Sequence, residues 1–317
     1  SRVALGCGLR GQNEPEEFTK LIHKAIDLGI NFIDCANVYG LSDNRERAGT
    51  SETILGQAIK GKRDDLIITS KVSSPIGTQN APNDQGTSRY HLLRESEKSL
   101  KRLNTDHIDI YLIHQFHNST PYDESLRAME ILIQQGKIRY VGVCNYQAWQ
   151  VVQSLRMQDT LNAAPLVTIQ NPYSLLNRGL EKEMFPMIRE LGIGMMGFSP
   201  LAVGLLSSGI LDSEKFPSTL WGSKRRKQFN EIYKDKVIDV CNTLQTISIE
   251  LGYTMAQIAQ AWVLSKPEVS AIISGADNTE QLDENLISLE VELPEQYIEI
   301  LNEVSHNLHI PLDNIKY

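Results

Sequence analysis

Short apolar runs alternate with longer amphipathic segments along nearly the whole chain. The run at residues 30–33 is short and rich in β-branched side chains, which is typical of a strand buried on both faces. Residues 15–28 instead carry apolar side chains near helical spacing, and Gly29 ends that segment. The pattern repeats and predicts eight strands, at residues 2–7, 30–34, 66–71, 108–113, 140–144, 167–169, 194–198 and 269–273. Helices are predicted at residues 15–28, 51–60, 88–103, 122–135, 147–157, 181–191, 233–251, 255–264, 279–289 and 295–305.

This alternation indicates right-handed βαβ units and therefore a parallel sheet. Eight units in one continuous stretch predict an α/β fold, a single (β/α)8 barrel over residues 1–317, with its active site at the C-terminal face. No Gly-x-Gly-x-x-Gly sequence opens a helix after the first strand, because the glycines with that spacing, at residues 6–11, end before the helix predicted from residue 15. This argues against a Rossmann domain. Two segments depart from the pattern. One is a Gly/Asn/Pro-rich loop at residues 73–87, which suits a substrate loop, and the other is an irregular insert at residues 202–230.

Ionisable side chains end three of the predicted strands. Asp34, Lys71 and His114 stand at these positions, and Tyr39 follows Asp34 in a loop. Because the C-terminal strand ends of a parallel barrel meet on one face, we expect the four side chains to share a pocket. Taken alone, Asp34 is more readily explained as a turn cap or ion pair, and His114 equally well as a core histidine bonded to backbone. The four together favour an active site.

Composition excludes several other functions. The 317-residue chain carries a net charge of −8, so a role in binding nucleic acid has no electrostatic support. Its four cysteines are scattered without a Cys-x-x-Cys pair, which indicates neither a disulfide framework nor a metal site. Reduced thiols in the cytoplasm are the default expectation. We see no signal peptide and no apolar run of membrane-spanning length.

Four motifs, taken in chain order, resemble the aldo-keto reductase family. They are Gly-Ile-Asn-Phe-Ile-Asp at residues 29–34 followed by Tyr39, Ile-Ile-Thr-Ser-Lys71, Ile-Asp-Ile-Tyr-Leu-Ile-His114, and Gly-Lys-Ile-Arg-Tyr-Val-Gly-Val-Cys-Asn145. Later motifs agree, at residues 170–174, 198–201 and 275–285, so the resemblance covers nearly the whole chain. Residues 86–91, Gly-Thr-Ser-Arg-Tyr-His, are similar to the bacterial and potassium-channel-β branch. Members usually begin with a longer segment that forms a hairpin, so we expect that some N-terminal residues are missing here.

The resemblance implies NAD(P)H-dependent reduction of a small carbonyl substrate, or oxidation of the alcohol, by a tetrad of Asp34, Tyr39, Lys71 and His114. It favours NADP(H), and it implies that the insert at residues 202–230 covers the cofactor. NAD(H) is a second possibility, because Asp277 stands where many relatives have arginine and an acidic residue can accept a bond from a free ribose hydroxyl. Against a cofactor role, Asp277 could simply cap the helix that begins at Thr279. The residues implied to bind cofactor are Asn145, Gln170, Phe198, Ser199, Leu201, Gly275, Asp277, Gln281, Glu284 and Asn285.

A physical argument supports the tetrad. Tyr39 is the expected proton donor, but a free phenol titrates near ~10, too high for efficient donation at neutral pH. An ammonium about 4 Å away favours the phenolate by roughly 4 kcal/mol, so Lys71 is predicted to lower the pKa of Tyr39 by about 3 units. Asp34 would keep Lys71 charged, and His114 would hydrogen-bond the substrate carbonyl oxygen.

Two other functions stay open at this point. The first is a channel-β-like regulatory subunit that binds cofactor without turnover. The second is a Schiff-base aldolase or lyase on the same fold, with Lys71 as nucleophile; it leaves Tyr39 and the motif at residues 275–285 unexplained. The sequence names no substrate, no metal site, no nucleic-acid or membrane partner and no oligomeric state.

Overall fold

The computed structural model describes residues 1–8, 12–76 and 83–310. Part of the predicted substrate loop, residues 77–82, lies outside this range. In the described residues, parallel strands close into a barrel in sequence order, with β1 pairing to both β2 and β8. The strands are β1 Val3–Gly6, β2 Phe32–Asp34, β3 Ile67–Val72, β4 Ile108–Ile113, β5 Ile138–Cys144, β6 Leu166–Pro172, β7 Gly194–Phe198 and β8 Ala271–Ser274. The predicted (β/α)8 fold is therefore confirmed.

Helices cover the outside of this barrel. They are α1 Pro15–Asp27, α2 Thr50–Ala58, α3 Arg89–Leu103, α4 Tyr122–Gln134, α5 Ala148–Leu161, α6 Met184–Leu191, α7 Leu220–Ser223, α8 Arg226–Gln228, α9 Lys234–Leu251, α10 Met255–Leu264, α11 Thr279–Ile287 and α12 Glu295–Val304. The segment at residues 202–230 is not irregular as predicted, because it contains α7, α8 and shorter helical turns. Trp221 and Phe229 are buried there and contact the rings of Tyr233 and Phe216, so packing of these side chains supplies the order that the local pattern does not show.

The end of β6 differs from its prediction because hydrogen-bonded pairing with both neighbouring strands extends it. The apolar run predicted for β6 covers residues 167–169 and ends at Gln170 and Asn171, but the strand continues to Pro172, because Gln170 pairs with Cys144 on one side and Pro172 with Phe198 on the other. The local sequence is polar there, so it gives no strand signal. These extra residues carry β6 up to the C-terminal face of the barrel.

Successive side chains of each strand point alternately into the barrel and toward the helices, so the fold has two apolar cores. A small inner cluster fills the barrel with Ala4, Leu112, Met196 and Ile273, while a larger cluster lies between strands and helices. In β3, Lys71 pairs with the inner residue Leu112, whereas the neighbouring Ser70 donates to Glu52 on α2. Successive strand side chains point to opposite faces. The side chains of Lys71 and Thr69 therefore point into the barrel interior.

Behind β3, Arg102 of α3 joins two buried carboxylates. It donates to Glu52 at 2.6 Å and to Glu95 at 2.7 Å, and both acids are fully buried. An unpaired carboxylate at such a depth would be costly, so the arginine between them stabilises the contact of α2 with α3. The link from Ser70 through Glu52 to Arg102 also anchors β3 beside Lys71.

Candidate active site

The barrel brings the predicted tetrad together at the C-terminal ends of β2, β3 and β4. The Lys71 Nζ donates to Asp34 Oδ2 at 2.6 Å and lies 3.3 Å from the Tyr39 hydroxyl. The His114 ring meets the Tyr39 ring edge to face, with centroids 5.9 Å apart. An acid, an ammonium, a phenol and an imidazole thus form one cluster.

Lys71 is held as a cation. Its side chain is fully buried, and its Nζ donates to Asp34, to the Tyr39 hydroxyl and to the carbonyl oxygen of Cys35 at 2.9 Å. Burial by itself lowers the pKa of this ammonium, but the Asp34 carboxylate outweighs it, and the pKa lies above the usual lysine value. All donors of the ammonium are therefore used, and its charge is compensated at close range.

Asp34 is bonded through both carboxylate oxygens. While Oδ2 accepts from Lys71, Oδ1 accepts from Thr69 Oγ1 at 2.5 Å and from Gln170 Nε2 at 2.8 Å. Sequence reasoning missed Thr69, although the signal was present. In the strand Ile-Ile-Thr-Ser-Lys, residues 69 and 71 share a face because the side-chain period of a strand is two.

The predicted effect of Lys71 on Tyr39 is wrong in its net sign. Lys71 does lower the pKa of Tyr39, but desolvation of the phenol is the larger influence and raises the pKa to about 12. The Coulomb argument left out the cost of burying a phenolate. The residue as a whole is only partly buried, whereas its hydroxyl lies against the buried Lys71. Tyr39 is therefore protonated at neutral pH.

His114 is neutral at physiological pH. Burial is the main cause that lowers its pKa well below the usual histidine value, and the positive charges of Lys71 and Arg45 act in the same direction. The Nδ1 atom is buried and has no hydrogen-bond partner among the described residues. Because a buried N–H without a partner is rarer than an unused acceptor, we place the proton on Nε2.

Residues at the ends of β5, β6 and β7 form a polar edge beside the tetrad. Asn145 is exposed, has a φ of 59°, and donates to the carbonyl oxygen of His114 at 3.0 Å. Gln170 is buried and presents its Oε1 to the Cys144 thiol at 3.7 Å. Phe198 is half-buried against the inner apolar cluster. Amide groups beside an aromatic ring fit a nicotinamide and its carboxamide, so the residues present fit the cofactor here.

The backbone after β7 turns sharply. Ser199, Ala202 and Val203 all have φ between 50° and 57°, the left-handed region that non-glycine residues rarely adopt. Turns in such conformations can present backbone N–H groups to an anion. The predicted contact of Ser199 and Leu201 with the pyrophosphate stays a prediction, but the turn is of the kind that such a contact needs.

The residues predicted for the adenosine end lie after β8, and they divide into two groups. Gly275, Asp277 and Gln281 are exposed, and no atom of the described part of the chain lies within 4 Å of where a Cβ of residue 275 would be. Glu284 accepts from Thr254 at the start of α10, and the buried Asn285 donates to the Gly275 carbonyl. None of these residues contacts the tetrad in the hydrogen bonds of the described residues.

Asp277 does not cap the following helix. The cap is Asn278, whose side chain accepts from the Gln281 N–H, while the Gln281 side chain accepts from the Asp277 N–H at 2.8 Å. The alternative explanation of Asp277 as a helix cap is therefore wrong. Its carboxylate has no hydrogen bond or ion pair among the described residues.

Two features are absent from the residues that the structure describes. These residues contain no group of His, Cys, Asp and Glu that could hold a metal ion. None of their helices has the length and apolar character needed to cross a membrane.

Comparison with known proteins assigns the family. The model of the aldo/keto reductase family matches residues 3–306. The uncharacterized oxidoreductase YrpG of Bacillus subtilis is 36% identical over 96% of this chain and 92% of its own length. A probable voltage-gated potassium channel subunit beta of Arabidopsis thaliana is 33% identical over 88% of this chain and 84% of its own. A putative subunit of the same kind from Schizosaccharomyces pombe is 32% identical over 100% and 92%. The chain therefore belongs to the aldo/keto reductase family and is an NAD(P)-dependent oxidoreductase.

Proposed function

We propose that this protein reduces an aldehyde or ketone with Tyr39 as proton donor, supported by Lys71, Asp34 and His114. The observation that carries the proposal is the Lys71 Nζ, which lies 3.3 Å from the Tyr39 hydroxyl and 2.6 Å from the Asp34 carboxylate. The bound cofactor supplies the hydride. The protein's own residues bind and orient the carbonyl and deliver the proton.

His114 and Tyr39 share the carbonyl oxygen in this proposal. A neutral imidazole with its proton on Nε2 donates a hydrogen bond and fixes the direction of the oxygen. As negative charge grows on that oxygen, it becomes a far stronger base than a phenolate and draws the Tyr39 proton. The Lys71 ammonium then stabilises the phenolate that remains. A resting pKa of about 12 keeps Tyr39 protonated until that moment.

NADP(H) is the cofactor that the family favours. Asn145 and Gln170 would hold the carboxamide, Phe198 would stack on the nicotinamide ring, and Ser199 and Leu201 would offer backbone to the pyrophosphate. The exposed basic residues Lys224 and Arg226, at the ends of α7 and α8, are placed on the insert predicted to cover the cofactor. Near the adenosine, Gly275, Asp277 and Gln281 would face the ribose, with Glu284 and Asn285 supporting their loop from α11.

Substitution of Tyr39 by Phe tests the proton donor. We expect Tyr39→Phe to abolish reduction of a panel of aldehydes with NADPH, because the hydroxyl is the only group removed. The dissociation constant of NADPH, measured by quenching of protein fluorescence, should stay within a few-fold of wild type. Reduction at the wild-type rate by this variant would refute the assignment.

A regulatory subunit is the second candidate, because curated relatives bear the name of potassium channel subunit beta. The two candidates differ in turnover. Wild-type protein that binds NADPH but reduces none of the aldehydes tested would support the regulatory function.

The Schiff-base alternative has little support from the geometry. A lysine nucleophile must be neutral and accessible. Lys71 is fully buried, uses all its donors, and has a pKa above its usual value. Borohydride in the presence of a keto substrate should therefore leave Lys71 unmodified.

A further inference from the structure

The oxygen of Asp34 that faces away from Lys71 accepts two hydrogen bonds from outside the tetrad. Its partners, Thr69 Oγ1 and Gln170 Nε2, are both buried; Thr69 lies on β3, next to β2, and Gln170 comes from β6 across the barrel. A buried carboxylate is tolerated when hydrogen bonds use its lone pairs. These two donors also fix its rotation, so that the other oxygen stays aimed at Lys71.

The orientation of the Gln170 amide follows from the chemistry of its partner. A carboxylate only accepts hydrogen bonds, so the amide nitrogen faces Asp34 and the amide oxygen is available elsewhere. That oxygen lies 3.7 Å from the Cys144 thiol, a weak donor. It keeps an acceptor for a carboxamide N–H at the edge where Asn145 also lies.

We propose that Thr69 and Gln170 are positioning residues that hold the Asp34 carboxylate, and that Gln170 couples the nicotinamide end of the cofactor site to the Asp34–Lys71 pair. The inference rests on the function proposed above. Thr69 acts mainly on turnover, because it is fully buried in β3 and reaches the cofactor site only through the Asp34 carboxylate. Gln170 acts on both turnover and cofactor binding. The coupling is reciprocal, so loss of Asp34 weakens the cofactor through Gln170.

Thr69 is tested with an isosteric pair of variants. Thr69→Val removes the hydroxyl at constant shape and is expected to lower kcat about tenfold, with the NADPH dissociation constant within twofold of wild type. Thr69→Ser keeps the hydroxyl and should recover most of kcat. A Val variant with wild-type kcat, or a Ser variant as slow as the Val variant, would overturn the role of Thr69.

Gln170 is tested by a double-mutant cycle with Asp34 on NADPH binding, which needs no turnover. Gln170→Leu and Asp34→Ala are each expected to weaken NADPH several-fold, and the double variant should be little weaker than Gln170→Leu alone. Because Asp34→Ala leaves Lys71 as an uncompensated buried charge, the cycle is repeated in a Lys71→Met background. The coupling would be overturned if the effects of the two substitutions on the NADPH dissociation constant multiply both with Lys71 and with Met at position 71. It would also be overturned if Asp34→Ala has no effect on NADPH binding.

The same measurements separate this inference from the proposed function. Wild-type protein without activity on any aldehyde or ketone would end the proposed function and the role of Thr69 in turnover. The NADPH cycle would still decide whether Gln170 joins the two parts of the site.

Discussion

At the scale of the residue, two opposing effects set the state of Tyr39. Attraction by Lys71 favours the phenolate, but loss of hydration disfavours it more, so the pKa is raised to about 12. Loss of hydration penalises the phenolate whatever its neighbours are, whereas the attraction comes from the Lys71 ammonium alone. The charge of that ammonium is already paired with the Asp34 carboxylate. The ammonium therefore matters for the product phenolate more than for the resting phenol.

Replacement of Lys71 by Met tests this balance. We expect Lys71→Met to lower kcat by at least about 100-fold, roughly 2.7 kcal/mol. The alkaline limb of the pH–rate profile should move to higher pH, since the variant removes the charge that lowers the pKa of Tyr39. The double variant Asp34→Asn with Lys71→Met serves as control, because it removes both buried charges. A profile unchanged in height and position would contradict the coupling of Lys71 to Tyr39.

Asp277 provides the prediction for cofactor choice. Its exposed carboxylate would repel a 2′-phosphate but could accept a hydrogen bond from a free 2′-hydroxyl. We expect measurable use of NADH, and Asp277→Arg should raise the NADPH/NADH ratio of kcat/KM about tenfold, or roughly 1.4 kcal/mol. Asp283→Arg, an exposed acid in α11, is the matched control for net charge. An equal ratio in the two variants would show that Asp277 does not face the ribose.

At the scale of the element, a glycine decides how closely two helices approach. A Cβ at Gly56 of α2 would lie 2.5 Å from the backbone carbonyl of Leu103 at the end of α3. Backbone atoms cannot turn aside as a side chain can, so any larger residue would push the helices apart. The same contact brings Arg102 to Glu52.

We therefore expect Gly56→Ala to lower the free energy of unfolding by about 1–3 kcal/mol, despite the better helix propensity of alanine. Urea denaturation followed by circular dichroism measures this change. Gly8→Ala is the control, because a Cβ there meets no atom of the described residues within 4 Å. Equal stability of the two variants would mean that the helices adjust without cost.

At the scale of the whole molecule, buried thiols and phenols make the stability of the fold fall at alkaline pH, because burial disfavours their charged forms. Burial raises the pKa of Cys241 to about 12, and that of Tyr39 to the same value against 10 for an exposed phenol. A raised folded-state pKa stabilises the fold fully below the unfolded-state value, and this contribution is lost as pH rises through the folded-state value. Stability should therefore fall above about pH 9.

Tyr39→Phe isolates one such contribution. Phenylalanine does not titrate, so between about pH 10 and 12 the variant should lose less stability than wild type, by on the order of 2 kcal/mol. Urea titrations at a series of pH values measure the difference. Tyr140→Phe replaces an exposed tyrosine and is the control; its free energy of unfolding should change with pH as that of wild type does. Parallel curves for Tyr39→Phe and wild type would contradict the raised pKa.

The sequence by itself determined the barrel and which four side chains meet at its C-terminal face. Apolar runs that alternate with helical periodicity leave few other folds, and strands that end on Asp34, Lys71 and His114 must bring these residues to one face of a parallel barrel. The same reasoning applied with a period of two would have placed Thr69 beside Lys71. These features depend on local patterns, so the sequence shows them without its three-dimensional structure.

Only the tertiary structure decided how the tetrad is bonded and charged. Gln170 reaches Asp34 across 136 residues, because barrel closure sets β6 opposite β2. The order in the insert around Trp221 and the extension of β6 likewise depend on neighbours distant in sequence. The pKa of Tyr39 depends on how much water the folded chain excludes, and no spacing of residues along the chain gives that quantity.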